Sequence, residues 1–355
     1  MLALLYLCDL IMGGDLAMIV ERRNQHEWMN NNMSAFLDAG NRLFVLARQG
    51  KYLPNLLIAI VMAPVFLFLS DYTFTPAIFW LVGRFFPLGG WLNQLAQSPY
   101  ALVSASELVL YLALTFLPAL LLVWLWLHFI EQRPFWTLGL ERRGAALKYL
   151  RGFGVGFVLF ALTTGILFIT GAVIGMGGDA RSVGFGALGG VLLSYLGWAI
   201  QGPTEEIVTR GWLLPVLGAR YKPGLGIVIS SLLFGLFHAL NNGFSPLALA
   251  NLILFGLFAA LYALNDGSIW GMFGLHAAWN WAEGNVFGAL VSGFSQPGGQ
   301  LLVLRPVGPG WLTGAAFGPE GGLAVTVAFL VGIAGVVWWS RRNRRKQRQV
   351  KPTVT

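Results

Sequence analysis

From Leu53 onward the chain repeats one pattern, long apolar runs separated by short polar breaks. A helix needs about 20 apolar residues to cross the hydrocarbon core of a bilayer. The pattern therefore predicts spans near 54–70, 105–129, 149–175, 185–209, 224–241, 246–264, 268–290 and 321–340. Asp71 interrupts the first, and the apolar stretch from Pro76 to Leu92 fits an interfacial segment. The expected fold is all-α, a polytopic membrane helical bundle of about eight transmembrane helices.

Polar and basic stretches divide the chain further. Residues 1–50 read as an N-terminal cytoplasmic lead, and 51–184 as the first transmembrane helices with a basic cytoplasmic loop. Residues 185–290 form a core of helices, 291–340 an outer loop with the last span, and 341–355 a basic tail expected to be disordered. The opening apolar run carries Asp9 and Asp15 and lacks a basic start and a small-residue cleavage site, so it does not read as a signal peptide. It fits an amphipathic lead or an over-extended start ahead of Met29 or Met33.

Composition strengthens the membrane reading. Hydrophobic residues make up 56% of the chain and charged residues 11%, with a mean hydropathy of +0.68. A soluble domain carries about 25% charged residues to cover its surface. The 46 glycines and 14 tryptophans fit membrane helices, where small residues allow close packing and rings sit at interfaces. Cys8 is the only cysteine, so no intrachain disulfide forms.

A pI near 9.9 raises the question of nucleic acid, but the distribution of the basic residues answers it differently. Eight spans put both termini on one side. That side receives nearly every Lys and Arg, leaving Arg84, Arg181 and Arg305 for the other, with Arg210 inside a span. This is the positive-inside bias. It predicts a multi-pass protein of the cell membrane with both termini cytoplasmic, a basic tail against anionic lipid, and no nucleic-acid partner.

Ionisable groups at membrane depth are costly and need a partner or a task. Here they form three short clusters on three spans. In Glu205-Glu206-Ile207-Val208-Thr209-Arg210, Glu206 and Arg210 stand four apart with the acid first, the favourable order for a helical ion pair. Glu205 points about 100° away around the helix, free to face a cavity as a general base. Phe234 and His238 form the second cluster, His276 and Asn280 the third, each pair sharing a helix face. At a rise of about 1.5 Å per residue, Glu205, His238 and Asn280 lie roughly 20 Å from the inner boundary, with His276 one turn shallower.

Singly, each has an ordinary explanation. A buried His is a hydrogen-bonded core residue, a Glu–Arg pair is an ion-pair staple, and an Asn is interhelical glue. Together they are less ordinary, because two of the four histidines fall in these clusters and the surrounding spans are almost free of charge.

The three motifs, in this order on successive membrane helices, resemble the CPBP family. That family comprises type II CAAX prenyl endopeptidases and bacteriocin-processing and immunity-type (ABI) membrane proteins. The resemblance is firm over about 185–290. Upstream, Arg133-Pro134 with Leu138-Gly139-Leu140 looks like the loop preceding the family's core helices, and Gly318-Pro319-Glu320-Gly321-Gly322 also resembles the family.

The resemblance implies an intramembrane endopeptidase of the metalloendopeptidase class acting on a membrane-associated or lipidated, CAAX-like substrate. Glu205 would activate water, His238 would help hold it, and His276 and Asn280 would bind the developing oxyanion. Glu206, Arg210 and Phe234 would support the site. Glu205, His238 and His276 are also a chemically adequate zinc set with an open fourth position. The chain lacks His-Glu-x-x-His, however, and the same residues support a metal-free glutamate mechanism, the reading preferred here.

Two other classes compete: a non-catalytic scaffold or self-immunity protein of the same fold, and a proton-coupled transporter. The second would be expected to show inverted repeats, which the pattern lacks. A Gly-rich helix face packs equally well within one chain or between two, so the sequence sets no oligomeric state.

Overall fold

Apolar runs become helices where capping residues start them and glycine or proline stops them, and several boundaries here follow that rule. The computed structural model describes residues 36–350, with side chains to Asn343. The N-terminal lead, with Met29 and Met33, lies outside the described residues, apart from its last stretch. Short helix α1 (Arg42–Ala47) is capped by Asn41, and α2 (Leu56–Gly83) by Asn55, whose side chain accepts from the Ile58 amide at 2.9 Å. Then come α3 (Leu88–Ala96), α4 (Ala101–Glu131), α5 (Ala145–Ile169) and α6 (Gly184–Arg220). Helices α7 (Pro223–Phe237) and α8 (Pro246–Asp266) both open with proline, whose fixed φ suits the first turn. Gly267, at φ 59°, closes α8. Helix α9 (Trp270–Trp281) continues as a π turn through Val286, and α10 (Leu323–Val350) ends the described chain.

Six of these, α2, α4, α5, α6, α8 and α10, are long and apolar enough to cross a membrane. The shorter α7 and α9 fall on the two remaining predicted spans. The chain is a polytopic helical membrane bundle.

Four expectations need correction. Asp71 does not end the first span: α2 carries it through a π turn, Ser70–Phe74, because Asp71 lines an internal cavity rather than lipid. The stretch from Pro76 to Leu92 is accordingly split between the end of α2 and the start of the amphipathic α3. Helix α7 stops at Phe237, so His238 is its C-cap rather than a residue of its last turn. The tail is helical to Val350, since Arg, Lys and Gln are good helix formers and the first breaker is Pro352; residues 351–355 lie outside the described residues.

Loops sort to two faces, as an alternating layout requires. On one, Arg42 pairs with Glu141 and donates to the Gly267 carbonyl at 3.1 Å, while Arg151 pairs with Asp266 at 2.7 Å. Beside them, Glu131 and Arg133 form a fully buried pair at 2.6 Å, with the Trp126 and Trp212 indoles donating to Glu131. This ties the loop before α5 to α6. On the opposite face β1 (Val173–Met176) and β2 (Val303–Pro306) pair antiparallel, with Val173 opposite Pro306.

Helices α5 and α9 pack backbone to backbone at Gly152 and Gly156. A Cβ on Gly152 would strike the Gly271 carbonyl, and one on Gly156 that of Leu275. Two small residues one turn apart permit such an approach. Gly156→Ala is expected to lower stability by about 1–3 kcal/mol, read as an earlier thermal transition in detergent. An unmoved transition would mean that these helices do not approach so closely.

Candidate active site

Three helices deliver the polar cluster to one place. Helix α6 brings Gln201, Glu205, Glu206 and Arg210, the end of α7 brings Phe234 and His238, and α9 brings His276 and Asn280. Directly after the two glutamates α6 widens into a π turn, Ile207–Leu213. Such insertions are frequent at functional sites because they re-aim side chains within a helix.

Glu206 and Arg210 make the expected ion pair, at 3.1 Å with both side chains fully buried. Arg210 Nη1 also donates to Thr209 Oγ1 at 2.7 Å. Its Nε and Nη2 have no hydrogen-bond acceptor. The guanidinium instead lies 4.4 Å from the Phe234 ring centroid and 5.6 Å from that of Phe255, where the faces of the aromatic rings attract it.

Glu206 has a second partner that the sequence did not reveal. Its Oε1 lies 2.9 Å from His276 Nδ1. An ionised carboxylate only accepts, so Nδ1 carries the hydrogen and Nε2 is the nitrogen left for other work. The His276 ring is wedged edge-on against Phe255 and Phe234, at 5.2 and 6.0 Å between centroids. Its Nε2 lies 3.9 Å from Glu205 Oε2.

Glu205 therefore has two unlike oxygens. Oε1 accepts from Gln201 Nε2 at 2.5 Å, whereas Oε2 is buried with no hydrogen-bond partner. Gln201 Oε1 in turn accepts from Asn280 Nδ2 at 2.8 Å. His238 turns Nδ1 to the Phe234 carbonyl at 2.9 Å and leaves Nε2 free.

Gln201, Glu205, Phe234, His238, His276 and Asn280 all line one cavity of about 760 Å³. Glu206 and Arg210 stand behind it. Sequence reasoning overlooked Gln201; its signal was a position four before Glu205, on the same helix face. Glu320, from the Gly-Pro-Glu-Gly-Gly segment, also reaches the cavity wall. Its oxygens accept from the Trp279 indole at 3.1 Å and the Ser292 hydroxyl at 2.5 Å. Asp71 and Glu107 line the same cavity.

The zinc set Glu205, His238 and His276 is not gathered as ligands. Among the described residues no group of three or more His, Cys, Asp or Glu side chains is placed to hold a metal ion. His276 Nδ1 faces Glu206 and Glu205 Oε1 faces Gln201, which leaves His276 Nε2, His238 Nε2 and Glu205 Oε2 without a hydrogen bond. As placed, the three side chains do not converge on one ligand position.

Residues 187–282 match the family model described as Type II CAAX prenyl endopeptidase Rce1-like. The matched segment holds all three motifs and supports the CPBP resemblance. No curated protein and no solved structure matches the chain.

Proposed function

We propose that this chain, with its Rce1-like helices α6 to α9, is an intramembrane endopeptidase that hydrolyses its peptide bond with a water activated by Glu205. The observation that carries the reading is Glu205, which lines the cavity and holds its Oε2 unpartnered and 3.9 Å from His276 Nε2. Peptide hydrolysis inside a bilayer needs admitted water, a base, and donors for the oxyanion.

Glu205 takes a proton from the water as the oxygen attacks the carbonyl carbon. The carbonyl oxygen gains the negative charge and is met by a remaining N–H of Asn280 and, with the ring protonated, by His276 Nε2. Glu206 fixes the His276 ring and stabilises its cationic form, the role a carboxylate plays behind a catalytic histidine. His238 Nε2 helps hold the water. When the C–N bond breaks, Glu205 returns its proton to the leaving amine, so the site ends as it began. No step passes through a metal.

The substrate class follows from the family resemblance: a lipidated, CAAX-like carboxyl terminus presented from the cytoplasmic side of the plasma membrane, where both termini of the chain lie. The test is cleavage of a farnesylated CAAX peptide by the purified protein in detergent or liposomes, with a pool of non-prenylated membrane peptides alongside. Cleavage supports the reading, and its absence on both substrates with folded protein overturns it in favour of a scaffold. A chelator is expected to change the rate less than twofold. A loss restored by added zinc would replace the glutamate mechanism with a metal one.

A further inference from the structure

The geometry points to Gln201 as the positioning residue that decides which oxygen of Glu205 acts as the base and which way Asn280 faces. The inference rests on the reading of Glu205 as the base and goes beyond it, since Gln201 belongs to none of the three motifs.

The orientation of its amide is forced. A carboxylate offers only acceptors, so the group 2.5 Å from Glu205 Oε1 must be the Gln201 NH₂. The opposite end is then its carbonyl, and the Asn280 atom 2.8 Å away must be the Asn280 NH₂. Three side chains on two helices thus form one directed chain, Asn280 to Gln201 to Glu205, with each of the two bonds running from an N–H to an oxygen. Gln201 is 8% exposed and Asn280 4%, so water does not compete freely for these bonds.

Two consequences follow for the chemistry. Oε1 of Glu205 is tied, and Oε2, the oxygen facing His276, is left to take the proton. Asn280 spends one N–H on Gln201, which fixes its amide plane and leaves the second N–H as the one available to an oxyanion. Without Gln201, Glu205 would be free to rotate about its last torsion and Asn280 would be free to flip, with both remaining in place. A residue acting through its neighbours in this way changes turnover more than binding, and misplacement of a catalytic group by such a loss costs up to about 100-fold in activity.

Gln201→Met, which keeps the volume and removes the amide, is the test. With the farnesylated peptide, kcat is expected to fall about 10- to 100-fold with KM unchanged within about twofold. The double variant Gln201→Met/Asn280→Ala is expected to lose less than the product of its two single losses, because the part of the Gln201 effect that passes through Asn280 is already gone. Independent losses that multiply, or a change confined to KM, would overturn the assignment.

A second readout does not depend on cleavage. The infrared difference between wild type and Glu205→Gln isolates the Glu205 carboxylate stretch, and in the Gln201→Met background that band is expected to shift. An unshifted band overturns the inference even if the protein is a protease. A shifted band without cleavage of any peptide by the wild type removes the protease reading and leaves the placement of Glu205 by Gln201 standing. If Gln201→Met fails to fold, Gln201→Leu carries both measurements, since it too has no amide hydrogen to give Glu205.

Discussion

Glu205→Gln is expected to reduce kcat for peptide cleavage by about 10³-fold or more, in the upper part of the range for loss of a positioned general base, while leaving the fold unchanged. The substitution keeps the side chain's shape and keeps an oxygen to accept from Gln201 Nε2, a bond now 2.5 Å long. What it removes is the free oxygen, Oε2, which has no protein partner to lose. The thermal transition in detergent should stay within about 2–4 °C of wild type, equivalent to a stability change below about 1 kcal/mol. Cleavage near the wild-type rate in a folded Glu205→Gln protein would remove Glu205 from the mechanism.

Arg210→Met is expected to have the largest effect on stability. Glu206 and Arg210 are both fully buried, and breaking one partner of such a pair costs about 3–5 kcal/mol because the other charge is stranded. Here the stranded carboxylate would have only the His276 ring at 2.9 Å, so the ring that faces Glu205 would be drawn into an uncompensated pair. Activity should fall together with stability. The double variant Glu206→Gln/Arg210→Met should recover most of the lost stability, since replacing both ends of a buried pair is often near neutral, but not the activity, because His276 keeps no anionic partner on that nitrogen. Denaturation curves of the three variants in one detergent decide the matter. A stable Arg210→Met single variant would mean that the pair does not carry that burden.

What the sequence made legible follows from where the information lies. Local signals were sufficient for helices: the apolar runs located the spans to within a few residues at most boundaries, several of which the structure shows to begin at Asn55 and Ser245 caps or at Pro223 and Pro246. They failed at Asp71 and at the basic tail for opposite reasons. Asp71 looks like a break only if its neighbours are lipid, whereas its side of α2 borders the cavity that also holds Glu107 and Glu205. The tail looked disordered because its charges were read and its helix propensity was not.

In the site, the i,i+4 pair Glu206–Arg210 was readable because both partners sit on one helix. The bonds from Glu206 to His276 and from Asn280 to Gln201 were not, since each joins α6 to α9 across long stretches of chain. Gln201 escaped notice for a further reason. It carries no charge, and a search for costly groups at membrane depth passes over an amide that becomes important only when two neighbours meet it.

The pairing of β1 with β2 bears on the order of events during synthesis. Val173–Met176 follows α5, but its partner Val303–Pro306 emerges only after α6 to α9 have been made, just ahead of the last span. The same late segment supplies Ser292 and Glu320 to the cavity wall. A nascent chain can therefore have all three motifs in the bilayer while one wall of the cavity is still in the ribosome. Assembly becomes a matter of timing: the helices that carry the motifs are inserted first, and the cavity they line is completed only when the segment bearing Ser292 and Glu320 follows.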